Sequence, residues 1–285
     1  MHSKKIVIDF EKIKDPFSGL GQWCHHFSQE LLKQNELSPF FYLPESCLNM
    51  FPQYPNVIRL RKIARKIPFL VPKSDVFHAI HQDSPFWPRK MSRYVLTIHD
   101  LNGMHEKSDK KERDHYLKQL QRKIDRADVI TYISEFTKDQ VHEYLKIKRQ
   151  QEQVIYNGIS LTRFEAPKAP NLKPQRPFLF TIGTVVPKKN FHTLIKMMKH
   201  LPEFDLIIAG TTFHNYAQTM KYQIQQERLD DRIRLVGTIN DEEKFWYLSH
   251  SKAFVFPSLL EGFGLPVAEA MSLGLPLFVS NSTSL

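Results

Sequence analysis

Short apolar runs alternate with longer amphipathic stretches along this chain, a rhythm that predicts the strand–helix units of a parallel sheet. In the first half, strands are expected over 5–10, 39–43, 76–80, 94–98 and 129–133. Helices are expected over 20–34, 108–126 and 135–145, the last opened by Ser134 as its N-cap. The pattern then breaks: Asn157-Gly158 is followed by Pro167, Pro170, Pro174 and Pro177 among basic residues. Spaced prolines resist both helix and central strand, so 158–177 reads as a linker or hinge. Beyond it the rhythm restarts, with strands over 178–182, 205–209, 233–236, 253–256 and 276–279. Helices fit 190–200, 213–228, 242–249 and 265–273, the last closed by Gly274. Two α/β domains are expected, over 1–157 and 178–285.

One basic stretch, 57–67, repays a helical count. Leu60, Ile63, Ala64 and Ile67 fall at i, i+3, i+4 and i+7, leaving Arg61, Lys62, Arg65 and Lys66 on other faces. It reads either as a helix lying on an anionic membrane surface or as an ordinary exposed helix with one face in the core. The net charge of +10 likewise favours acidic partners. Nucleic acid is the less attractive of these, since no recognition module accompanies the charge. The run Ile6-Val7-Ile8 is short and cut by Asp9, so it reads as a first strand and not as a leader. No stretch approaches the ~18 apolar residues of a membrane span. With Cys24 and Cys47 the only cysteines, a reducing cytoplasm fits best, and any membrane association would be peripheral, on the inner face.

The chemistry concentrates in Pro257-Ser-Leu-Leu-Glu261-Gly-Phe-Gly264-Leu-Pro266-Val-Ala-Glu269. A buried strand ends, a loop with two glycines follows, and a helix begins with Pro266 in its first turn. Gly262 and Gly264 permit close backbone approach, and a helix start suits a phosphate. Glu261 and Glu269 suit sugar hydroxyls instead, and phosphate-binding backbone flanked by two sugar-binding acids describes a nucleotide-sugar site. Lys188 and Lys189, on an earlier strand-to-helix loop, could neutralise a diphosphate leaving group. Gly19 and Gly21 open another helix, but Cys24 stands where a third glycine is needed, so a dinucleotide fingerprint fails and a nicotinamide-dependent oxidoreductase is disfavoured. His99-Asp100 ends a strand at the carboxyl edge, the usual address for ligand groups, with a capping or core role as the alternative. His78, His81 and Asp83 lack further ligands at metal spacing and read as free polar loop residues.

With these residues in view, the chain resembles the retaining family 4 glycosyltransferases (glycosyl transferases group 1). It shares Glu261-Gly-Phe-Gly-Leu-Pro…Glu269-Ala-Met…Gly274-Leu-Pro276 with Ser280, Gly183-Thr-Val-Val-Pro-Lys188-Lys189-Asn190, Thr97-Ile-His99-Asp100-Leu, Ile133-Ser134-Glu135-Phe and Ile155-Tyr-Asn157-Gly158. The resemblance implies the GT-B fold: two facing doubly wound Rossmann-like domains with the active site in the cleft, an acceptor-binding domain first and a nucleotide-sugar domain second. It implies that Glu269 binds the ribose, and that Glu261 with Gly262, Phe263, Gly264 and Leu265 holds the donor sugar. His99 would lie beside the transferred sugar, Lys188 and Lys189 beside the diphosphate, and Gly21 on a loop facing donor phosphate and acceptor. Many relatives carry two adjacent glycines at the place of Gly21, and Arg at the place of Thr184; whether Lys188 substitutes for that Arg the sequence leaves open. The implied reaction is retaining transfer of a hexosyl unit from a nucleotide-sugar to a carbohydrate or lipid-linked acceptor. Without a DxD-type acidic cluster, no metal or other cofactor is expected. Asn281-Ser-Thr-Ser-Leu285 follows a strand directly, and matched domains would need ~50–100 more residues. A C-terminally truncated second domain is therefore expected, and a non-catalytic nucleotide-sugar-binding remnant is the competing reading.

Overall fold

The computed structural model describes residues 4–16, 18–34, 36–90, 92–213 and 215–285, and the chain divides into two compact units, Met1–Asn157 and Gly158–Leu285. Phe17 of the loop before the first helix, and His214 of the helix expected over 213–228, lie outside the described residues.

In the first unit, β1 (Ile6–Asp9), β2 (Phe40–Leu43), β3 (Val57–Arg59), β4 (Val76–Ala79), β5 (Arg93–Ile98), β6 (Val129–Tyr132) and β7 (Gln151–Val154) form one sheet in the order β3-β2-β1-β4-β5-β6-β7. Its pairings are all parallel. Side chains alternate between faces along each strand. Val7 packs with Tyr42, Phe77 and Leu96 on one face, whereas Ile8 packs with Phe41, Leu43 and Ile80 on the other. Helix α1 (Gly19–Leu32) covers the second face through Leu20, Cys24 and Phe27. Short α2 (Asn102–His105) precedes α3 (Lys110–Arg126), which with α4 (Glu135–Tyr144) covers the first face through Leu120, Ile124 and Val141. Side-chain caps start three of these helices: Ser18, Asp109 and Ser134 accept from the amides of Gly21, Lys111 and Thr137.

Two edge strands were not anticipated. Gln151-Glu-Gln-Val154 pairs with β6 on one side only, so its polar side chains need no apolar pattern. The expected amphipathic helix over 57–67 is corrected. Val57–Arg59 joins β2 as a strand, and only Lys62–Arg65 makes a 3-10 turn. The β-branched pair Val57-Ile58 favours the sheet, and Pro68 forbids a longer helix. As a result Leu60 and Ala64 are buried, while Ile63 and Ile67 face solvent.

The second unit repeats the plan with β8 (Phe178–Ile182), β9 (Asp205–Ala209), β10 (Ile233–Gly237), β11 (Ala253–Phe256) and β12 (Leu277–Val279), in the parallel order β10-β9-β8-β11-β12. Helices α5 (His192–Met198), α6 (Asn215–Gln226), α7 (Asp241–His250) and α8 (Leu265–Met271) connect them. Phe180, Phe254, Phe256, Ile207 and Tyr247 build the core. Residues 158–177 form neither helix nor strand, yet they are not a free linker. The Lys168 amide donates to Glu242 (2.9 Å), the Tyr247 hydroxyl donates to the Leu172 carbonyl (3.0 Å), and the Arg176 guanidinium pairs with Asp205 (3.1 Å). Pro170 is buried and Leu161 packs on the core, so this segment is part of the second unit.

At the end of β1, Asp9 is fully buried. Its carboxylate accepts from the Ser84 hydroxyl (2.5 Å) and the Glu11 amide (3.0 Å). Burial outweighs both contacts and pushes its pKa up from 3.8 to about 7. The folded chain therefore keeps a proton that the unfolded chain releases, and stability falls as pH rises across that window. Asp9→Asn should flatten this dependence by roughly 3–4 kcal/mol between pH 4 and 7. Urea unfolding of both proteins at pH 4, 5.5 and 7 measures it, and parallel curves would refute the assignment.

Candidate active site

Strand order in the second unit reverses between β8 and β11. In an open parallel sheet such a reversal leaves a crevice outside the carboxyl ends of the two strands. The loops that follow these strands, 183–190 and 257–264, meet there. Pro187–Lys189 makes a 3-10 turn ended by Asn190 in the left-handed region (φ 58°). This turn presents the Lys188 carbonyl to the Leu259 amide (2.8 Å) and the Ser258 hydroxyl (3.3 Å). Lys189 points inward, with Nζ 5.0 Å from the centre of the Phe256 ring and ion-paired with Glu261. The two side chains are only 14% and 13% exposed. Two residues singled out 72 positions apart are thus one buried pair.

Gly262 and Gly264 are buried in the loop, with Phe263 and Leu265 half-buried beside them. Gly264 starts α8 at φ 84°, a left-handed conformation that favours glycine, and the tip of the Leu285 side chain lies where a Cβ would point. Residues 280–285 close against the same loop. The Glu261 amide donates to the Thr283 hydroxyl (3.1 Å) and the Ser284 hydroxyl donates to the Glu261 carbonyl (3.0 Å). Helix α8 has only seven residues, shorter than the sequence implied, so its macrodipole is weaker as an anion site than expected.

Glu269, one turn into α8, accepts from Lys244 Nζ at 2.9 Å across from α7. Burial raises its pKa, and the Lys244 charge opposes that rise. Sequence reasoning missed Lys244, which follows three acids in a surface-like run; its partner is visible only in three dimensions. Thr283 and Ser284 were missed for the same reason.

The first unit holds the other two candidates. Gly21 sits in the first turn of α1, where a Cβ would collide with the Asp15 carbonyl. Its amide is taken by Ser18 (3.0 Å). The close approach that requires glycine is therefore to the chain's own backbone. Two residues on, Trp23 meets His99 edge to face (5.0 Å between ring centres) and donates its indole N–H to Asn157 (2.8 Å). His99 Nε2 donates to the Ile80 carbonyl (2.8 Å), and its amide donates to the Gln82 side chain (3.0 Å). Burial lowers its pKa to about 4, so the ring is neutral at pH 7.

His78 and His81 are not free loop residues, as the sequence suggested. His78 belongs to β4 and bonds the Thr97 hydroxyl (2.8 Å), and His81 is buried. Among the described residues, no group of three or more His, Cys, Asp or Glu is placed to hold a metal.

Two parallel-sheet α/β units of the Rossmann type constitute the GT-B architecture, and solved structures agree. An Anabaena protein, Alr3699/HepE, in complex with UDP and glucose, superposes with a TM-score of 0.74 at 15% identity, covering 99% of this chain and 82% of that one. Sucrose-phosphate synthase from Thermosynechococcus elongatus superposes with a TM-score of 0.72 at 18% identity, covering 99% and 82%. The family model for glycosyl transferases group 1 matches residues 162–285, and that for glycosyltransferase family 4 matches residues 23–163. The chain belongs to this glycosyltransferase family. Among sequence relatives, O-antigen chain mannosyltransferase B of Escherichia coli is 25% identical over 99% of this chain and 83% of its own length. O-antigen chain mannosyltransferase RfbU of Salmonella typhimurium is 26% identical over 66% of this chain and 52% of its own length.

The buried Glu269–Lys244 contact yields a direct test. Lys244→Met leaves the carboxylate without its cation and should destabilise the second unit, whereas Lys244→Met with Glu269→Gln recovers most of the loss. A double-mutant cycle by urea unfolding should give a coupling of about 1–3 kcal/mol. Additivity of the two single changes would show that the pair contributes nothing.

Proposed function

We propose that this chain is a retaining glycosyltransferase that moves a hexosyl unit from a nucleotide-sugar to an acceptor hydroxyl. Its place would be in the synthesis of a cell-surface polysaccharide or lipid-linked oligosaccharide at the cytoplasmic face of the membrane. The observation that carries this reading is the Lys189–Glu261 pair at the switch point of the second sheet. A buried ammonium beside a carboxylate supports reading the one as a cation for a diphosphate and the other as an acceptor for sugar hydroxyls. Mannose is the sugar the relatives favour, since both named above are mannosyltransferases.

In this reading the first unit receives the acceptor and the second binds the donor. Glu269 holds the ribose hydroxyls, oriented by Lys244. Glu261, with the loop backbone of Gly262, Phe263, Gly264 and Leu265, holds the sugar. A diphosphate draws Lys189 toward itself, and Lys188 adds a second positive charge. Glu261, relieved of its ammonium partner, is then free to accept from the sugar. His99, neutral and fixed by Ile80, offers a ring without charge to the sugar, and Gly21 anchors the loop that faces donor phosphate and acceptor. On a front-face route the bond from the anomeric carbon to the phosphate oxygen breaks. The acceptor oxygen bonds to the same face, and its proton passes to the leaving phosphate. Because lysines supply the countercharge, this reading needs no divalent ion.

Calorimetric titration with a panel of nucleotide-sugars, with turnover on any donor bound, tests the proposal. Glu269→Ala should weaken donor binding by about 10–100-fold, the scale of a lost charge-assisted hydrogen bond. Glu261→Gln should lower kcat by about 10²–10³ with little change in nucleotide affinity. Unchanged donor affinity in Glu269→Ala would sink the ribose assignment. Activity should also survive exhaustive EDTA treatment; loss on chelation with recovery on added manganese would contradict the lysine-based mechanism.

A further inference from the structure

The basic segment that fails to form a helix creates a surface to which the proposed donor-site residues do not belong. Between β3 and β4 the chain makes two 3-10 turns, Lys62–Arg65 and Pro68–Leu70, and leaves three large apolar side chains in solvent. Ile63 is 56% exposed, Ile67 42% and Phe69 74%. Exposed apolar residues scattered singly are ordinary, but three within seven positions need an explanation. Phe69 is not loose. The Arg89 guanidinium lies 4.6 Å from its ring centre and donates to the Phe69 carbonyl (2.8 Å) and, more weakly, to the Val71 carbonyl (3.3 Å). The turn is thereby clamped with its aromatic ring displayed.

Cations surround this patch. Arg61, Lys62 and Lys66 are exposed within the same segment. Arg65 is engaged inward by the buried Glu11, which ties the segment down, while Arg59 pairs with Glu45 at the surface. Beside the turns opens a cavity of about 1410 Å³ whose walls carry Lys5, Arg61, Lys62 and Lys73, apolar Ile58 and Leu60, and the acids Glu11 and Glu45, each facing an arginine. Positive charge at a rim and apolar side chains at the tip match one kind of partner. An anionic phospholipid bilayer offers phosphates at its surface and acyl chains a few ångströms beneath.

We propose that residues 61–70, clamped by Arg89, form a docking surface for anionic phospholipid bilayers. Ile63, Ile67 and Phe69 enter the interfacial layer while Arg61, Lys62 and Lys66 lie among the headgroups. The surface lies wholly within the first unit and is independent of the donor-site reading. Either can fail without the other.

Co-sedimentation of the full chain with vesicles of phosphatidylcholine, with and without phosphatidylglycerol, tests it. Binding should require phosphatidylglycerol and weaken as salt is raised. Lys62→Glu with Lys66→Glu should weaken binding at least about tenfold, on the scale of roughly fivefold per cation. Ile63→Ser with Phe69→Ser should weaken it by roughly tenfold while the charge is unchanged. Lys110→Glu with Lys111→Glu, an equal change of charge on α3, should leave binding within about twofold. Circular dichroism melts confirm that each variant is folded, and nucleotide-sugar titration confirms that the second unit is unaffected. Equal binding to pure phosphatidylcholine would overturn the proposal, as would equal loss in the α3 control. So would capture by heparin or DNA without any binding to vesicles.

Discussion

Parallel pairing is the constraint on which the rest of this molecule depends. Every strand in both sheets runs the same way as its neighbours. Each connection must therefore return along a face of the sheet, and the loops that leave the strand ends all gather on one edge. The reversal of strand order between β8 and β11 then separates two neighbouring loops just enough to leave a crevice. Lys189 and Glu261 are adjacent because of that geometry. The glycines, the left-handed Asn190 and the short helix α8 are local adjustments to it.

The charges at this edge are arranged as internal pairs. Lys189 faces Glu261 and Lys244 faces Glu269, each pair largely removed from water. Burying ions is costly, and partners of opposite sign make it tolerable. Within each pair the opposite charges offset one another, so neither lysine nor glutamate is buried as a lone ion. In the first unit, at the corresponding strand ends, Asp9 and His99 are governed by desolvation. Asp9 holds a proton to about pH 7 and His99 stays neutral down to about pH 4.

Strands with a face in the core were legible from apolar runs, and helices from their spacing and caps, because burial writes itself into residue type. Gln151–Val154 was illegible since an edge strand exposed to solvent carries no such signature. The basic segment 57–67 misled because a four-residue coincidence of helical spacing outweighed the β-branched pair at its start and the proline at its end. At the site, Glu261, Glu269 and the lysines stood out through their setting between strand, glycine loop and helix. Lys244 and Thr283 did not, since the contacts that give them meaning join residues distant in the chain. Gly21 was singled out for the right property and the wrong neighbour: what approaches it is the Asp15 carbonyl.

The segment between Gly158 and Pro177 bears on how the chain could be divided. A cut placed where the prolines end would leave Asp205 without its guanidinium and Tyr247 without its carbonyl acceptor, and would bare the core surface that Leu161 covers. The natural seam is at Asn157, ahead of the prolines. A designer exchanging the second unit for that of another glycosyltransferase would need to carry those twenty irregular residues along with the sheet they fasten.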